Sequence, residues 1–96
     1  MPAYAIFDVE ILDPVVCRDF MAGVSPALEK VSAKYLARGG AHKVHEGDWV
    51  PRRMVLLEFP SMGAFETFYQ RPTYQGLKKL LNGCGSARRV SLEGLP

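Results

Sequence analysis

Tyr4-Ala5-Ile6-Phe7-Asp8-Val9-Glu10-Ile11 is the stretch that decides the fold. Side chains alternate across a strand with a period of two. Ala5, Phe7, Val9 and Ile11 therefore share one face, and Tyr4, Ile6, Asp8 and Glu10 share the other. The first face is wholly apolar; the second is apolar but interrupted by carboxylates. Arg53–Phe59 repeats the arrangement, with Val55, Leu57 and Phe59 set against Met54, Leu56 and Glu58. Strands apolar on both faces need cover on both. A chain of 96 residues has helices enough for one face only. The other face calls for a second subunit, a ligand, or both.

Outward from β-like Tyr4–Ile11, Asp13-Pro14 signals a helix start, because proline has no amide hydrogen to leave unpaired there. Phe20, Met21, Val24, Leu28 and Val31 follow at helical spacing. Ser25-Pro26 predicts a kink or restart, with Ser25 as its cap. Tyr35–Arg38 reads as extended, Gly39-Gly40 as a bulge or bend, and Ala41–Glu46 as the strand resumed. Gly47–Pro51 has turn chemistry leading into Arg53–Phe59. Ser61 caps a helix carrying Phe65, Phe68 and Tyr69, and Arg71-Pro72 separates it from a second, capped by Thr73, carrying Tyr74, Leu77, Leu80 and Leu81. Asn82–Ser86 is a loop and Arg88–Glu93 a last strand.

The order βαββαβ with right-handed crossovers predicts an α+β, ferredoxin-like sandwich spanning residues 1–96 as one domain. Its four-stranded antiparallel sheet has the order 4-1-3-2, with the helices on one face. On the last strand, Val90 and Leu92 are assigned to the helix-facing core. Arg89, Ser91 and Glu93 are assigned to the open face with Asp8, Glu10 and Glu58. An open face this apolar predicts a homodimer whose two sheets enclose a partly polar cavity.

Composition narrows the function classes. The formal charge is +2, and the basic doublets Arg52–Arg53, Lys78–Lys79 and Arg88–Arg89 are scattered, so nucleic-acid binding is not expected. No apolar run approaches a membrane span. Cys17 and Cys84 are the only cysteines and lack metal or redox spacing; with no secretory leader they read as reduced thiols, and the location as cytoplasmic.

Further elements occur in an order shared with one family: Lys34-Tyr35-Leu36-Ala37-Arg38-Gly39-Gly40, Val44-His45-Glu46-Gly47-Asp48-Trp49, Pro51-Arg52-Arg53, Leu57-Glu58-Phe59-Pro60-Ser61 and Pro72-Thr73-Tyr74-Gln75. Together with Ala3–Val9 and Asp13-Pro14, they make the chain resemble the domain of unknown function 1330 family, within the dimeric α+β barrel superfamily. The resemblance implies a ferredoxin-like protomer pairing into a barrel-like dimer. Members of that superfamily include cofactor-independent monooxygenases, muconolactone isomerases, haem-handling enzymes and sensor domains, so kinship in fold leaves function open. Where related sequences often carry a basic residue late in the second helical region, this chain has Leu81-Asn82.

Asp8 and Glu58 are the candidate catalytic residues. On neighbouring strands, two carboxylates sharing an apolar cavity would have raised pKa values suited to general acid or base work. The competing reading pairs each with Arg38, Arg53 or Arg89. Arg38 beside Gly39-Gly40, and Arg52 near Trp49, are candidate grips for an anionic group. Structural roles in a bulge, a turn or an interface compete with both. His45 is a candidate base and Tyr69 a candidate hydroxyl donor, against a bland role in packing for the tyrosine. His42 and His45, three apart on a strand, point to opposite faces, so no metal site is expected. No cofactor is expected either, for want of an axial ligand or a nucleotide cradle. The sequence thus suggests a small-molecule-binding dimer, with Asp8 or Glu58 moving a proton without a cofactor and Arg38, Trp49, Arg52, His45 and Tyr69 at the ligand. The alternative is a non-catalytic ligand-binding or structural homodimer whose polar open-face residues only specify subunit pairing.

Overall fold

Alternation in Ala3–Ile11 does build β1, one of the two inner strands of a four-stranded antiparallel sheet. In the computed structural model, which describes residues 1–96, the remaining elements are α1 (Arg18–Glu29), β2 (Lys34–Arg38), β3 (Met54–Phe59), α2 (Met62–Gln70), α3 (Pro72–Asn82) and β4 (Gly85–Glu93). The sheet order is β2-β3-β1-β4, the expected 4-1-3-2 read from the other edge. Ala5, Leu57 and Phe59 from the sheet pack against Ala27, Leu28, Phe65, Phe68, Tyr74 and Leu77 from the helices. Burial of these apolar side chains is the main force holding helices to sheet. No helix of the chain is long and apolar enough to cross a membrane.

Of the local helix-start signals, Ser61 marks a cap, and those at Asp13-Pro14, Ser25-Pro26 and Thr73 are displaced or absent. Asp13 Oδ1 accepts from the amides of Val15 and Val16 at 3.1 and 3.2 Å, but it stabilises a turn; α1 itself begins after Cys17. The helix does not restart at Ser25-Pro26, since α1 runs through Pro26. Ser25 is no cap: its hydroxyl meets the Tyr35 hydroxyl at 3.1 Å. Ser61 does cap α2, accepting from the Ala64 amide at 3.0 Å. α3 starts at Pro72 with Arg71, rather than Thr73, at the N-cap, which suits the fixed φ of proline at a first helical position.

Three further expectations are corrected. First, no strand resumes at Ala41–Glu46. Gly39 adopts φ +65°, a left-handed conformation open to glycine, and β2 ends there with its amide donating to Met54 O at 2.8 Å. Second, β4 presents the opposite faces. Arg89 lies opposite Phe7 and Ser91 opposite Ala5, so both point toward the helices, whereas Val90 and Leu92 lie opposite Ile6 and Tyr4 on the open face, 56% and 65% exposed. Bonds from the Leu12 and Asp13 amides to Cys84 O pin the start of β4, and a one-residue change of register exchanges every side chain between faces. Third, the cysteines are not reduced thiols. Cys17 and Cys84 form a disulfide, buried with Val9 and Leu81 in a second apolar cluster, which ties the start of α1 to the start of β4. Distance in sequence concealed the pair; the crossover brings its Cα atoms to 5.5 Å.

Candidate functional site

The sheet carries a hollow on each side. The apolar one, about 320 Å³, lies between α1 and the helix-facing side of the sheet. Fourteen of its eighteen lining residues are hydrophobic, so water gains little there and an organic ligand gains much. Its floor is one row across all four strands. Arg89 on β4 pairs with Phe7 on β1, Phe7 with Val55 on β3, and Val55 with Arg38 on β2. Phe20, Val24 and Leu28 of α1 form the opposite wall, and Phe68 and Tyr74 close one end.

A bulge in β2 makes that row. Without it, Tyr35 and Arg38, three residues apart, would point to opposite faces. The register shift between Tyr35 and Ala37 brings both into the pocket, with the Arg38 guanidinium 4.5 Å from the Tyr35 ring centroid. Arg53 joins them at the rim; a side chain on Gly39 would press on its guanidinium.

Three guanidiniums therefore border the apolar pocket: Arg38, Arg53 and Arg89. None has a carboxylate partner, since the one ion pair of the chain joins Arg52 to Glu10. Arg38 and Arg53 are exposed and Arg89 is half-buried. The Arg89 guanidinium lies 5.9 Å from the ring centroids of both Phe7 and Tyr74. Its Nε is buried and has no hydrogen-bond acceptor. Burial pushes the Tyr74 hydroxyl above the usual tyrosine range, while the charge and hydrogen bonding of Arg89 act the other way.

On the open face, Asp8, Glu10, Trp49, Arg52 and Arg88 line a polar hollow of about 340 Å³. Asp8 is 8% exposed, and both its oxygens are engaged. Oδ1 accepts from the Arg52 amide at 2.8 Å and Oδ2 from the Trp49 indole N–H at 3.1 Å. Burial alone would raise its pKa. The hydrogen bonds from Arg52, Trp49 and the Arg53 backbone, with the charge of Arg88, outweigh it and hold the carboxyl below its ordinary value. The raised pKa expected for this carboxylate is thus reversed.

The sequence candidates do not converge on one point. Glu58 is on the same face as Asp8 but opposite Tyr4, while Asp8 is opposite Met54. Four residues of strand, about 13 Å, separate them. Trp49 and Arg52 join Asp8, whereas Arg38 belongs to the pocket across the sheet. His45 is exposed and makes no hydrogen bond or ion pair, and His42 Nε2 meets Pro51 O at 3.0 Å. Tyr69 stacks on Tyr74 at 5.2 Å and its hydroxyl accepts from Lys78 Nζ at 3.1 Å. No three His, Cys, Asp or Glu side chains are grouped to hold a metal ion. Arg53, Arg89 and Tyr35 are the pocket residues that sequence reasoning did not single out as ligand contacts. The Gly39-Gly40 bulge signal pointed near them without giving its direction.

A ferredoxin-like sheet with one face under helices and an apolar pocket between the layers defines the class of protein. The chain belongs to the family described as Domain of unknown function (DUF1330), whose model matches residues 2–95. No curated protein matches the chain. Among solved structures it is similar to a protein of unknown function from Rhodopseudomonas palustris, at 18% identity and TM-score 0.75, covering 99% of this chain and 83% of that one. A dimeric ferredoxin-like protein of unknown function from Jannaschia sp. CCS1 is 14% identical, with TM-score 0.74 and coverage of 98% and 100%. SnoaB from Streptomyces nogalater, a cofactor-independent oxygenase, is 8% identical, with TM-score 0.67 and coverage of 97% and 92%. At these identities the likeness is one of fold.

Proposed function

We propose that this protein is a homodimer that binds a small organic molecule in each protomer, in the pocket between α1 and the sheet. The observation that carries the reading is a cavity of about 320 Å³ with aromatic and aliphatic walls, bordered by arginines that have no carboxylate partner. Pairing through the open face is supported by its exposed Val90 and Leu92 beside half-buried Tyr4, Ile6 and Leu56, and by neighbours described as dimeric. The expected binding place moves from the open face to the helix-facing side, because the hollow with apolar walls is there and the open-face hollow is polar.

Chemistry without a cofactor remains part of the proposal, in line with the oxygenase neighbour. Asp8 or Glu58 would act only on a molecule in the open-face hollow or between paired sheets, since neither lines the apolar pocket. A second reading, a dimer in which these polar residues only set the pairing, is favoured by one observation: Asp8 spends both oxygens on its own chain. The disulfide removes the reduced-thiol ground for a cytoplasmic location, since such bridges persist most readily in oxidising surroundings.

Thermal-shift screening against small organic acids, phenols and quinones tests the binding reading. The expected hit raises Tm in the wild type and not in Val24→Phe, which fills the pocket. A hit that is indifferent to Val24→Phe, or a panel with no hit, overturns it.

A further inference from the structure

We infer that the ligand of this pocket is a planar aromatic carboxylate of one or two rings, its carboxylate received by Arg89 and its rings laid over the Phe7–Val55 floor. The inference rests on the binding reading above and adds the chemical class and the orientation.

Arg89 is the starting point. An arginine whose Nε is buried without an acceptor carries an unmet hydrogen-bonding demand, which is costly in a folded chain. Side chains of the protein do not meet it: no carboxylate lies within ion-pair distance of Arg89, and its guanidinium borders the Phe7 and Tyr74 rings instead. A ligand oxyanion in the pocket would pair with the terminal N–H groups of the guanidinium. A small turn of the side chain would bring the now enclosed Nε–H to it as well, the two-pronged match of guanidinium to carboxylate. The buried Tyr74 ring, its centroid 5.9 Å from the same guanidinium, walls that point.

The rest of the ligand follows from the walls. Phe7, Phe20, Phe68, Tyr35 and Tyr74 surround the space, and flat rings suit both their faces and their edges. Arg38 lies in the same row as Arg89 but on the opposite edge strand, three strand spacings or about 14 Å away between Cα atoms. A volume of about 320 Å³ is at the small end for ligand pockets, so one or two rings fill it. Exposed Arg38 and Arg53 at the rim give the entrance a positive potential that draws anions inward.

The test is calorimetric titration of the intact protein with 2-naphthoate and with its neutral counterpart 2-naphthamide. The wild type is expected to bind the acid at least tenfold more tightly than the amide. Arg89→Gln abolishes that preference while leaving amide affinity within about threefold, and Arg89→Lys, which keeps charge but loses the fork, retains only part of it. Circular dichroism establishes that each variant is folded, and Arg89→Lys decides the matter should Arg89→Gln not fold. Equal binding of acid and amide by the wild type, abolished by Val24→Phe, overturns the carboxylate inference and leaves the pocket reading standing. A preference lost in Arg38→Gln or Arg53→Gln but kept in Arg89→Gln overturns the orientation. Binding of neither probe, together with no hit in the wider screen, overturns both.

Discussion

The Asp8 carboxylate and the Trp49 indole, 41 residues apart in sequence, are joined by a 3.1 Å hydrogen bond across the open face of the sheet. With the Arg52 amide on its other oxygen, Asp8 holds down the connection between β2 and β3, which has no strand pairing of its own. Removing the carboxylate leaves two donors unpaired, a loss of about 1–3 kcal/mol. Asp8→Ala is therefore expected to lower stability by that amount in urea denaturation, with a change in Trp49 fluorescence. A variant as stable as the wild type would show that the bond is not made in solution.

The same carboxylate sets a pH dependence. Its pKa is lowered on folding, so its contribution is present above the ordinary value of 3.8 and disappears as pH falls through the lower folded value. Stability of wild type relative to Asp8→Asn should narrow on acidification below about pH 4. A difference that stays constant from pH 7 to pH 3 contradicts this.

Joining Cys17 to Cys84 restrains an unfolded loop with a sequence separation of 67 residues. Loop-closure arguments assign about 4 kcal/mol to a bridge of this span. The double variant Cys17→Ala with Cys84→Ala is expected to lose about 2–4 kcal/mol, and reduction of the wild type to lower its Tm to a similar degree. Thiol titration of the denatured, unreduced protein should find no free thiol.

Pairing through the open face predicts that charge there dissociates the dimer. Leu92→Lys, at a position 65% exposed in the protomer, places an ammonium in the proposed interface without touching the core. Light scattering should report a dimer for the wild type and a monomer for this variant, with unchanged far-UV circular dichroism. A wild-type monomer at micromolar concentration would remove the homodimer.

At Gly39, φ of +65° and the adjacent Arg53 guanidinium both oppose a side chain. Gly39→Ala should cost about 1–2 kcal/mol. It should also weaken binding of an anionic ligand by displacing Arg53 at the rim. Chemical denaturation and the naphthoate titration read the two effects separately.

Much of this architecture was legible in the linear chain. The alternation in Tyr4–Ile11 and Arg53–Phe59 assigned β1 and β3 their faces, Ser61 marked a helix start, and the element order implied the strand order. Apolar content misled at β4: Val90 and Leu92 look like core residues, yet the register puts Arg89 inside. The cysteine pairing was equally hidden, because nothing near Cys17 or Cys84 in sequence refers to the other.

Local pattern by itself marked the helical segments, β1 and β3, and which side chains of β1 and β3 travel together, since backbone periodicity is a property of neighbouring residues. That pattern overran β2 into Ala41–Glu46. Only the folded chain decided which of two faces each edge strand turns inward, and so placed Arg38 and Arg89 around one apolar pocket. Periodicity leaves that choice open, because a single bulge or a one-residue slip reverses it, and the partners that pin the register lie far away along the chain.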